Sequence, residues 1–310
     1  MLSRLGLIDQ VLALGSPRLA QTYTYVDGKA DPHVSPPKEP GDAGYSLSVR
    51  REPLLHILLQ HAISHASVEC SPRTRFLDTI VEGNRVVGAR LATTTGERKV
   101  RARIVVGADG RHSAVARAVA AADETSDPPI RGLFHRYVKR FPGPRDGVPD
   151  GAEFSLLDDE LAYVFPSDDG VTCVALSVGL AAFAEMRRAP ETRFRERLER
   201  HLGIAGRFAA SIPEGKQLGC GPEPSWVRVP VGLGWALVGD AGLHQDPWTG
   251  RGMDTASTHA VFLFEALLEW FQGRATETQA LAQYHSRRNA HGLPMYRETL
   301  SGGRDLRLSA

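Results

Sequence analysis

The sequence lacks the features that mark several large classes of protein. Its three cysteines, Cys70, Cys173 and Cys220, lie far apart without a C-x-x-C pair, so we expect neither a disulfide framework nor a zinc site. Lys and Arg number 37 against 36 Asp and Glu and are scattered, a pattern that gives no indication of a nucleic-acid partner. The most apolar stretch, residues 260–271, contains two glutamates. We therefore expect no membrane span and a cytoplasmic protein.

The elements that are present indicate a mixed protein. With 42% hydrophobic and 24% charged residues, the chain has the composition of a globular protein with a full core. Strand formers between residues 68 and 106 predict a small antiparallel meander followed by one buried strand. Alternating segments between Arg131 and Gly179 predict a second antiparallel sheet. Apolar residues at helical spacing predict helices over residues 2–12, 53–66, 193–202, 252–271 and 276–290.

Between the first two predicted helices the sequence changes character. Thr22 to Val26 predicts a short strand that ends in the turn dipeptide Asp27-Gly28. The following segment from Ala30 to Gly44 is rich in proline and glycine and predicts a long loop. A loop of this length either covers a ligand or forms a variable surface insert, and the sequence leaves both open.

Three histidines of the predicted second helix, His56, His61 and His65, raise the question of a metal site. Only His61 and His65 are one helical turn apart, and no carboxylate or thiolate joins them nearby. We therefore expect a solvated helix face and no bound metal.

The segment IVVGADGRHS, residues 104–113, joins a buried strand to a helix. Gly107 and Gly110 allow the backbone to approach a ligand closely, and Asp109 between them is suited to accept hydrogen bonds from ribose or ribityl hydroxyls. Ser113 is placed to cap the helix that follows. For this motif alone, a plain strand-turn-helix with Asp109 as a turn residue remains an alternative.

The segment WALVGDAGLHQDPWTGRGMD repeats this pattern further along the chain. A buried strand ends in Gly239 and Asp240, which places the carboxylate where strand meets loop. Pro247 stiffens the loop. Gly250 and Gly252 precede a long helix whose first N–H groups are unpaired, an arrangement suited to an anion or an electron-rich ring. Two strand-Gly-Asp units separated by a sheet are far more specific than either unit alone.

Both motifs resemble those of the group A FAD-dependent monooxygenases, the family that includes para-hydroxybenzoate hydroxylase, phenol hydroxylase and the polyketide and tetracycline hydroxylases. GADGRHS is similar to that family's second motif, and GDAGLHQDPWTGRGMD to its third, usually GDAAH followed by P and G-x-G. The resemblance extends from Leu5 to Arg288. It implies an α/β fold in which an incomplete Rossmann-like FAD-binding domain carries an inserted antiparallel-sheet substrate domain.

The resemblance also implies a division into three segments. Residues 1–126 would form a partial FAD-binding domain with a small β-meander over 68–101, residues 127–231 the substrate domain, and residues 232–310 the remaining FAD-binding domain with the Gly-Asp motif and the C-terminal helices. The family's first motif, G-x-G-x-x-G in a βαβ unit, occurs nowhere in the 310 residues. We therefore expect a wrong start or a truncation, or a partner chain that completes the sheet.

In that family the third motif contacts FAD. By this correspondence Asp240 contacts the ribityl chain, and the proline and glycines that follow it lie beside the isoalloxazine. Arg51 begins an R-x-x-L pattern that usually contacts flavin, with Arg50 or a plain surface arginine as alternatives, and Asp109 is shared with nicotinamide-nucleotide handling. The implied cofactor-binding residues are Arg51, Gly107, Asp109, Gly110, Gly239, Asp240, Pro247, Gly250, Gly252 and Met253. His259 stands where an acidic residue is common.

The implied activity is that of an FAD-dependent monooxygenase that uses NADH or NADPH and oxygen to hydroxylate an aromatic or polyketide-like small molecule. His244 and Asp246 are candidates for proton transfer, and His135 or Tyr163 for polarising a phenol. The candidate substrate-pocket residues, each with core packing as its alternative, are Phe134, Tyr163, Phe165 and Trp248. Residue types alone do not choose the substrate, the nicotinamide cofactor or the oligomeric state.

Two other functions stay open at this point. A flavin reductase of the geranylgeranyl-reductase type shares both glycine motifs and would reduce an alkene without oxygen insertion, although the H-x-x-P-x-x-G-x-G loop from His244 favours the hydroxylase. A non-catalytic remnant that cannot hold FAD is the other. A flavin halogenase would carry a W-x-W-x-I-P segment, which the sequence does not contain.

Overall fold

A computed structural model describes residues 2–26, 29–34, 44–143 and 151–306. The predicted Asp27-Gly28 turn and residues 35–43 of the predicted loop lie outside the described residues. The strands are β1 (Gln21–Val26), β2 (Lys29–Val34), β3 (Arg75–Glu82), β4 (Arg85–Thr93), β5 (Gly96–Arg101), β6 (Val105–Gly107), β7 (Asp123–Asp127), β8 (Arg131–Lys139), β9 (Ala152–Leu157), β10 (Glu160–Pro166), β11 (Val171–Gly179), β12 (Ile212–Cys220), β13 (Ser225–Arg228), β14 (Val231–Gly232), β15 (Trp235–Leu237) and β16 (Leu243–His244). The helices are α1 (Ile8–Leu12), α2 (Arg51–Ile63), α3 (Ala114–Ala118), α4 (Leu180–Met186), α5 (Pro190–Leu198), α6 (Leu202–Ala210), α7 (Gly252–Phe271) and α8 (Glu277–Arg304).

The first of two compact units comprises Met1–Glu69, Ile130–Pro222 and Arg304–Ala310. Its centre is a seven-stranded sheet with the order β12-β8-β11-β10-β9-β1-β2. The central strands run antiparallel, as the alternating sequence predicts, and β1 joins the sheet by pairing in parallel with β9. The predicted second antiparallel sheet is therefore present, and it also includes strands from the first part of the chain.

Side chains on this sheet alternate between two faces, because successive residues of a strand point in opposite directions. One face carries Val138, Val174 and Leu176, which pack with Phe183 and Phe194 of the covering helices in the main core. Burying one such side chain stabilises the fold by roughly 1.5–3 kcal/mol, so this layer holds the unit together.

The second compact unit comprises Cys70–Pro129 and Glu223–Gly303. It contains three three-stranded sheets with the orders β3-β4-β5, β14-β15-β6 and β16-β13-β7. The sheet β3-β4-β5 is the predicted antiparallel meander. Strands β15 and β6 are parallel neighbours. Ala236 of β15 packs with Leu263 of α7 and Tyr284 of α8, whereas Leu237 packs with Val115 of α3.

These units give the mixed α/β architecture that the sequence predicts. Within the described residues, no helix combines the length and the apolar character that crossing a membrane requires. His61 and His65 stack edge to face with ring centroids 5.0 Å apart, and in the same described part of the chain no three His, Cys, Asp or Glu residues are grouped as metal ligands. The predicted segment boundaries at 126/127 and 231/232 stay predictions.

Several predicted elements have the wrong extent. The first helix spans only Ile8–Leu12, because residues 2–6 form turns and Gly6 has a φ of 67°. Part of the predicted loop is strand, since β2 pairs with β1 over 29–34. The predicted helix 193–202 corresponds to α5, which spans Pro190–Leu198, and α4, α6 and β12 were not predicted. The last helix continues through Pro294 to Arg304.

Candidate functional site

In the second compact unit, two strands of one sheet end at the same edge, and each is followed by a turn. Strands β6 and β15 are parallel, with Gly107 paired to Leu237. The Val238 N–H donates to the Gly107 carbonyl at 2.9 Å, so the two chain segments stay in register up to their turns. Because parallel strands end at the same edge, Asp109 and Asp240 both follow that edge, which is where open α/β sheets bind ligands.

The second turn begins at Gly239, whose φ of 62° lies in the left-handed region that favours glycine. A Cβ at this position would come within 3.2 Å of the Ala256 Cβ, so glycine also allows α7 to pack close to the turn. The next residue, Asp240, has a side chain that is 41% exposed, and its Oδ2 lies 3.6 Å from Nδ1 of His244. The carboxylate is thus positioned at the strand end and remains open to a ligand.

The loop after this turn is built by local capping. Asp246 accepts a hydrogen bond from the Trp248 N–H at 3.1 Å and caps a short 3-10 turn that starts at Pro247. Gly250 ends this turn with a φ of 69°. Apart from chain neighbours and nearby helix backbone, no heavy atom of the described residues lies within 4 Å of a Cβ built on Gly250 or on Gly252, the residue that begins α7. The backbone before the helix is therefore accessible to a flat group.

Several buried polar atoms around this loop have no hydrogen-bond partner within the described structure. They are both ring nitrogens of His244, both amide atoms of Gln245, and the hydroxyls of Thr249 and Thr255. Buried polar groups are ordinarily paired, so such a cluster indicates a missing ligand. It offers donors and acceptors together, which suits the carbonyl and N–H groups of an isoalloxazine ring. The residues present therefore fit FAD.

In the first turn, Asp109 has a structural contact. Its Oδ2 accepts hydrogen bonds from the N–H groups of Ala114, at 2.7 Å, and Val115, at 3.2 Å. Ser113 caps the same helix by accepting from the Ala116 N–H at 2.8 Å, as predicted. Asp109 therefore acts as a turn and capping residue here, which is the alternative role that its sequence allows.

The two glycines of this turn meet different structural requirements. A Cβ on Gly107 would lie 2.8 Å from Leu237 Cδ2, so glycine permits the close packing of strand and neighbour. Gly110 adopts a φ of 75° and has open space around it. Of these two glycines, only Gly110 has room beside its backbone for a ligand.

Met253 and Trp248 differ in their surroundings. Met253 is exposed in the first turn of α7. Trp248 is buried, and its Nε1 donates to the Thr299 carbonyl at 2.8 Å. The indole N–H therefore attaches the loop to α8. Trp248 thus has a structural role in addition to the predicted substrate contact.

The predicted arginine lies in the first compact unit. Arg51 is exposed at the first position of α2. Its neighbour Arg50 is held by Asp168, whose carboxylate accepts from the Arg50 N–H at 2.7 Å and from Nε at 2.8 Å. Of the two, Arg51 is the one whose guanidinium is not committed to Asp168.

The four predicted pocket residues are not all brought together. Phe154, Tyr163 and Phe165 form an aromatic cluster on the sheet face opposite the helices, with ring centroids 5.5–5.8 Å apart. Phe134 lies on the other face, stacked on Phe183 at 4.8 Å within the helix-covered core. It is one residue out of phase with the cluster, so the structure places it in the core and away from Tyr163.

Titratable residues share the face of the aromatic cluster. His135 pairs with Ala175, and Tyr137 pairs with Cys173, so all of them follow the same alternation as Tyr163 and Phe165. Burial lowers the pKa of His135 and raises the pKa of Tyr137. Burial also raises the pKa of Cys173 to about 12. Partial burial on this face therefore favours the uncharged forms of these three side chains.

Two residues near the second turn escaped prediction. Trp226 stacks on His244 with ring centroids 4.6 Å apart, and the Arg228 guanidinium lies over the Trp226 ring, 4.6 Å from its centroid. Arg228 also donates to the Ala241 carbonyl at 3.0 Å. Their only signal in the sequence is an alternating strand pattern, which does not reveal what a side chain contacts.

Comparison with known proteins places these observations in context. Residues 1–203 and 232–299 match the family described as FAD binding domain. A digeranylgeranylglycerophospholipid reductase of Methanosarcina acetivorans is 28% identical over 253 residues, which cover 80% of this chain and 59% of that protein. The chain thus spans about three fifths of the length of this curated relative.

Solved structures share the fold. The myxobacterial chondrochloren halogenase CndH, an FAD-dependent halogenase, superposes with a TM-score of 0.84 at 20% identity, covering 97% of this chain and 70% of that one. PqsL of Pseudomonas aeruginosa, a probable FAD-dependent monooxygenase, gives a TM-score of 0.80 at 24% identity, covering 99% and 83% of the two chains. At these identities the likeness concerns the fold alone.

Proposed function

Because the chain belongs to the FAD binding domain family, we propose that it binds FAD at the edge where its two Gly-Asp turns meet and acts as an FAD-dependent oxidoreductase. One observation carries this proposal: an open Gly-Asp turn is followed by a loop of unpaired buried polar atoms and accessible glycines. The family match agrees with the resemblance to FAD-dependent monooxygenases that the two motifs imply.

In this proposal the residues of the second turn hold the cofactor. Asp240 would hold the ribityl chain by accepting hydrogen bonds from its hydroxyls. Pro247, Gly250, Gly252 and the first N–H groups of α7 would hold the flavin ring. Gln245 and His244 supply the donors and acceptors that otherwise remain unpaired. When bound, FAD would supply the redox chemistry, and the protein would supply position and a water-poor surrounding.

The reaction that we favour is oxygenation of a small organic molecule, with NADH or NADPH as reductant and oxygen as second substrate. The aromatic cluster of the first unit offers Phe154, Tyr163 and Phe165 as contacts for a planar apolar substrate. His135 lies on the same face, and burial lowers its pKa, which favours the neutral ring that can accept a hydrogen bond from a phenol. His244 is the corresponding candidate near the cofactor, where Asp240 contacts its ring.

A second candidate function is reduction of an alkene without oxygen insertion. It is supported by the sequence relative, whose name describes reduction of a digeranylgeranyl phospholipid. The apolar sheet face would also accept an isoprenoid chain, because it offers aromatic rings and few charges. The two functions share the cofactor site and differ in the fate of oxygen.

The discriminating experiment measures oxygen uptake and oxidation of NADH or NADPH in the same sample of FAD-loaded protein. Phenols and an isoprenoid lipid serve as two sets of substrates. Monooxygenation predicts stoichiometric oxygen uptake and incorporation of label from ¹⁸O₂ into a phenolic product. Alkene reduction predicts anaerobic turnover and a product heavier by two hydrogens.

The matched variants are Asp240→Asn and Glu97→Gln. We expect Asp240→Asn to weaken FAD binding about tenfold or more, since a charge-assisted hydrogen bond contributes ~1.5–3 kcal/mol. Glu97 is an exposed carboxylate paired with Arg90 on the meander, so its variant should bind FAD as the wild type does. Equal FAD affinity in both variants would contradict the assigned site.

A further inference from the structure

One face of α8 packs against the chain segments on both sides of the second Gly-Asp turn. Tyr284, Arg288 and Gly292 are spaced by four residues and therefore lie on one side of the helix. The Tyr284 hydroxyl donates to the Leu237 carbonyl at 2.7 Å, at the end of β15. Gly292 lies so close to Leu243 that an added Cβ would come within 2.6 Å of its Cδ1. The helix thus contacts the chain both before and after Asp240.

Arg288 occupies the middle of this face. Its side chain is 1% exposed, and its guanidinium donates to the backbone carbonyls of Arg228 and, at 3.4 Å, Gly242. The nearest carboxylate, Glu124, lies 3.6 Å away. Burial lowers the pKa of Arg288, while Glu124 opposes this shift. A charge buried in this way is costly, and here the guanidinium donates to the backbone carbonyls of Arg228 and Gly242 beside the turn.

Arg228 completes the arrangement from the neighbouring strand. Its side chain donates to the Ala241 carbonyl at 3.0 Å, and its backbone N–H donates to the Gly242 carbonyl at 2.8 Å. Its guanidinium also covers Trp226, which in turn stacks on His244. The two arginines therefore bind the backbone of Ala241 and Gly242, which directly follow Asp240. Arg228 also packs on Trp226, which stacks on the His244 ring.

We propose that Arg228 and Arg288 are positioning residues that fix the Gly-Asp turn in its ligand-binding geometry without touching the ligand. The inference rests on the proposed function, because the ligand in question is FAD. Neutral side chains would fill the space, but at position 288 only a planar donor with several N–H groups reaches the carbonyls of Arg228 and Gly242 at once. Loss of the Arg228 side chain frees the Ala241 carbonyl, and loss of the Arg288 side chain leaves the Gly242 carbonyl with the Arg228 backbone N–H alone. Either loss lets the turn, with Asp240 and His244, sample other conformations.

The test compares the 310-residue chain with Arg288→Met, Arg288→Lys and Arg228→Met. The control is Arg131→Met, because Arg131 in the first unit is equally buried, with a 1% exposed side chain, and also donates to backbone carbonyls. Two quantities are measured: hydrogen exchange of the Val238 and Gly242 amides without FAD, and the FAD dissociation constant by fluorescence titration. Urea unfolding reports the stability of each variant.

We expect both Arg288→Met and Arg131→Met to lower stability, whereas only the Arg288 and Arg228 variants accelerate exchange in the turn. Their FAD dissociation constants should rise about tenfold or more, a change that corresponds to ~1.4 kcal/mol. Arg288→Lys retains the charge and one donor direction and should recover part of the affinity. This partial rescue separates positioning from a general loss of packing.

Unchanged exchange at Val238 and Gly242 in the Arg288 and Arg228 variants would overturn the inference, and so would faster exchange with unchanged FAD affinity. Arg131→Met weakening FAD as strongly as Arg288→Met would also overturn it. If the wild type itself binds no FAD, the proposed function fails, and the exchange data still decide whether the arginines order the turn.

Discussion

A buried histidine on α7 gives the most quantitative prediction, because its charge state couples stability to pH. His259 is buried, and its Nε2 lies 3.3 Å from Nδ1 of His291. Burial lowers the pKa of His259 to about 3, and His291 and Arg288 add to the effect by repulsion. The folded protein therefore keeps this ring neutral at pH values at which the unfolded chain takes up a proton.

The direction and size of the change in stability with pH follow from the linkage between proton binding and unfolding. Because the folded pKa lies below the ordinary value of 6.5, unfolding binds a proton between pH 6.5 and about 3. The contribution of His259 to stability is complete above pH 6.5 and is lost as pH falls through this window. One pKa unit corresponds to ~1.4 kcal/mol, so by pH 5 the loss amounts to about 2 kcal/mol.

The assay is urea unfolding of the wild type and of His259→Gln at pH 7 and pH 5. Glutamine cannot take up the proton and still offers a polar group to His291. Apart from His291, whose ring contacts residue 259, the other groups titrate in both proteins, and their effects cancel in the comparison. The variant should lose about 2 kcal/mol less than the wild type between the two pH values. The exposed His56→Gln is the control, and an equal loss in His259→Gln and wild type would refute the reasoning.

Three further changes test single features of the fold, each by urea unfolding. Gly250→Ala should cost about 1–2 kcal/mol because its φ is 69°, whereas Gly252→Ala at the start of α7 should be neutral or stabilising; equal effects would contradict this. Phe134→Ala should cost about 3–5 kcal/mol as a core residue, and a loss below ~1 kcal/mol would place it outside the core. Ser113→Ala should cost about 1 kcal/mol through its lost cap, and no loss would dispute the Ala116 contact.

The sequence predicts best where a residue's role depends on local chemistry. The turns at Gly107 and Gly239 follow strands as expected, and the cap at Ser113 is formed. The extent of α7 matches the prediction, because apolar spacing and the preceding glycines define both ends. These features depend on residues close together in the chain.

The sequence predicts less well those features that depend on contacts between residues far apart in the chain. The parallel pairing of β1 with β9 joins segments far apart in sequence, and nothing in Gln21–Val26 indicates its partner. Helix α8 continues through Pro294, although proline ordinarily ends a helix, because Tyr296 beyond it is buried and bonded to Asp127. Phe134 packs in the helix-covered core, which is the alternative that the sequence leaves open, since an aromatic residue in a strand does not reveal which layer covers it.

The residues of the candidate cofactor site likewise differ in how well the sequence identifies them. Asp240, Gly250 and Gly252 are identified by their motif, and the structure places them around an accessible backbone. Arg228 and Arg288 are indistinguishable in sequence from surface arginines. Their roles appear only when the carbonyls of residues 241 and 242 are traced to their donors.

The central claim is that this chain binds FAD at the edge of β6 and β15, and the visible absorption spectrum tests it most directly. The chain is purified with added FAD, separated from free cofactor and compared with Asp240→Asn. The account predicts flavin bands that stay with the wild-type protein and are reduced in the variant. Protein without flavin bands, or bands equally strong in both proteins, would contradict it.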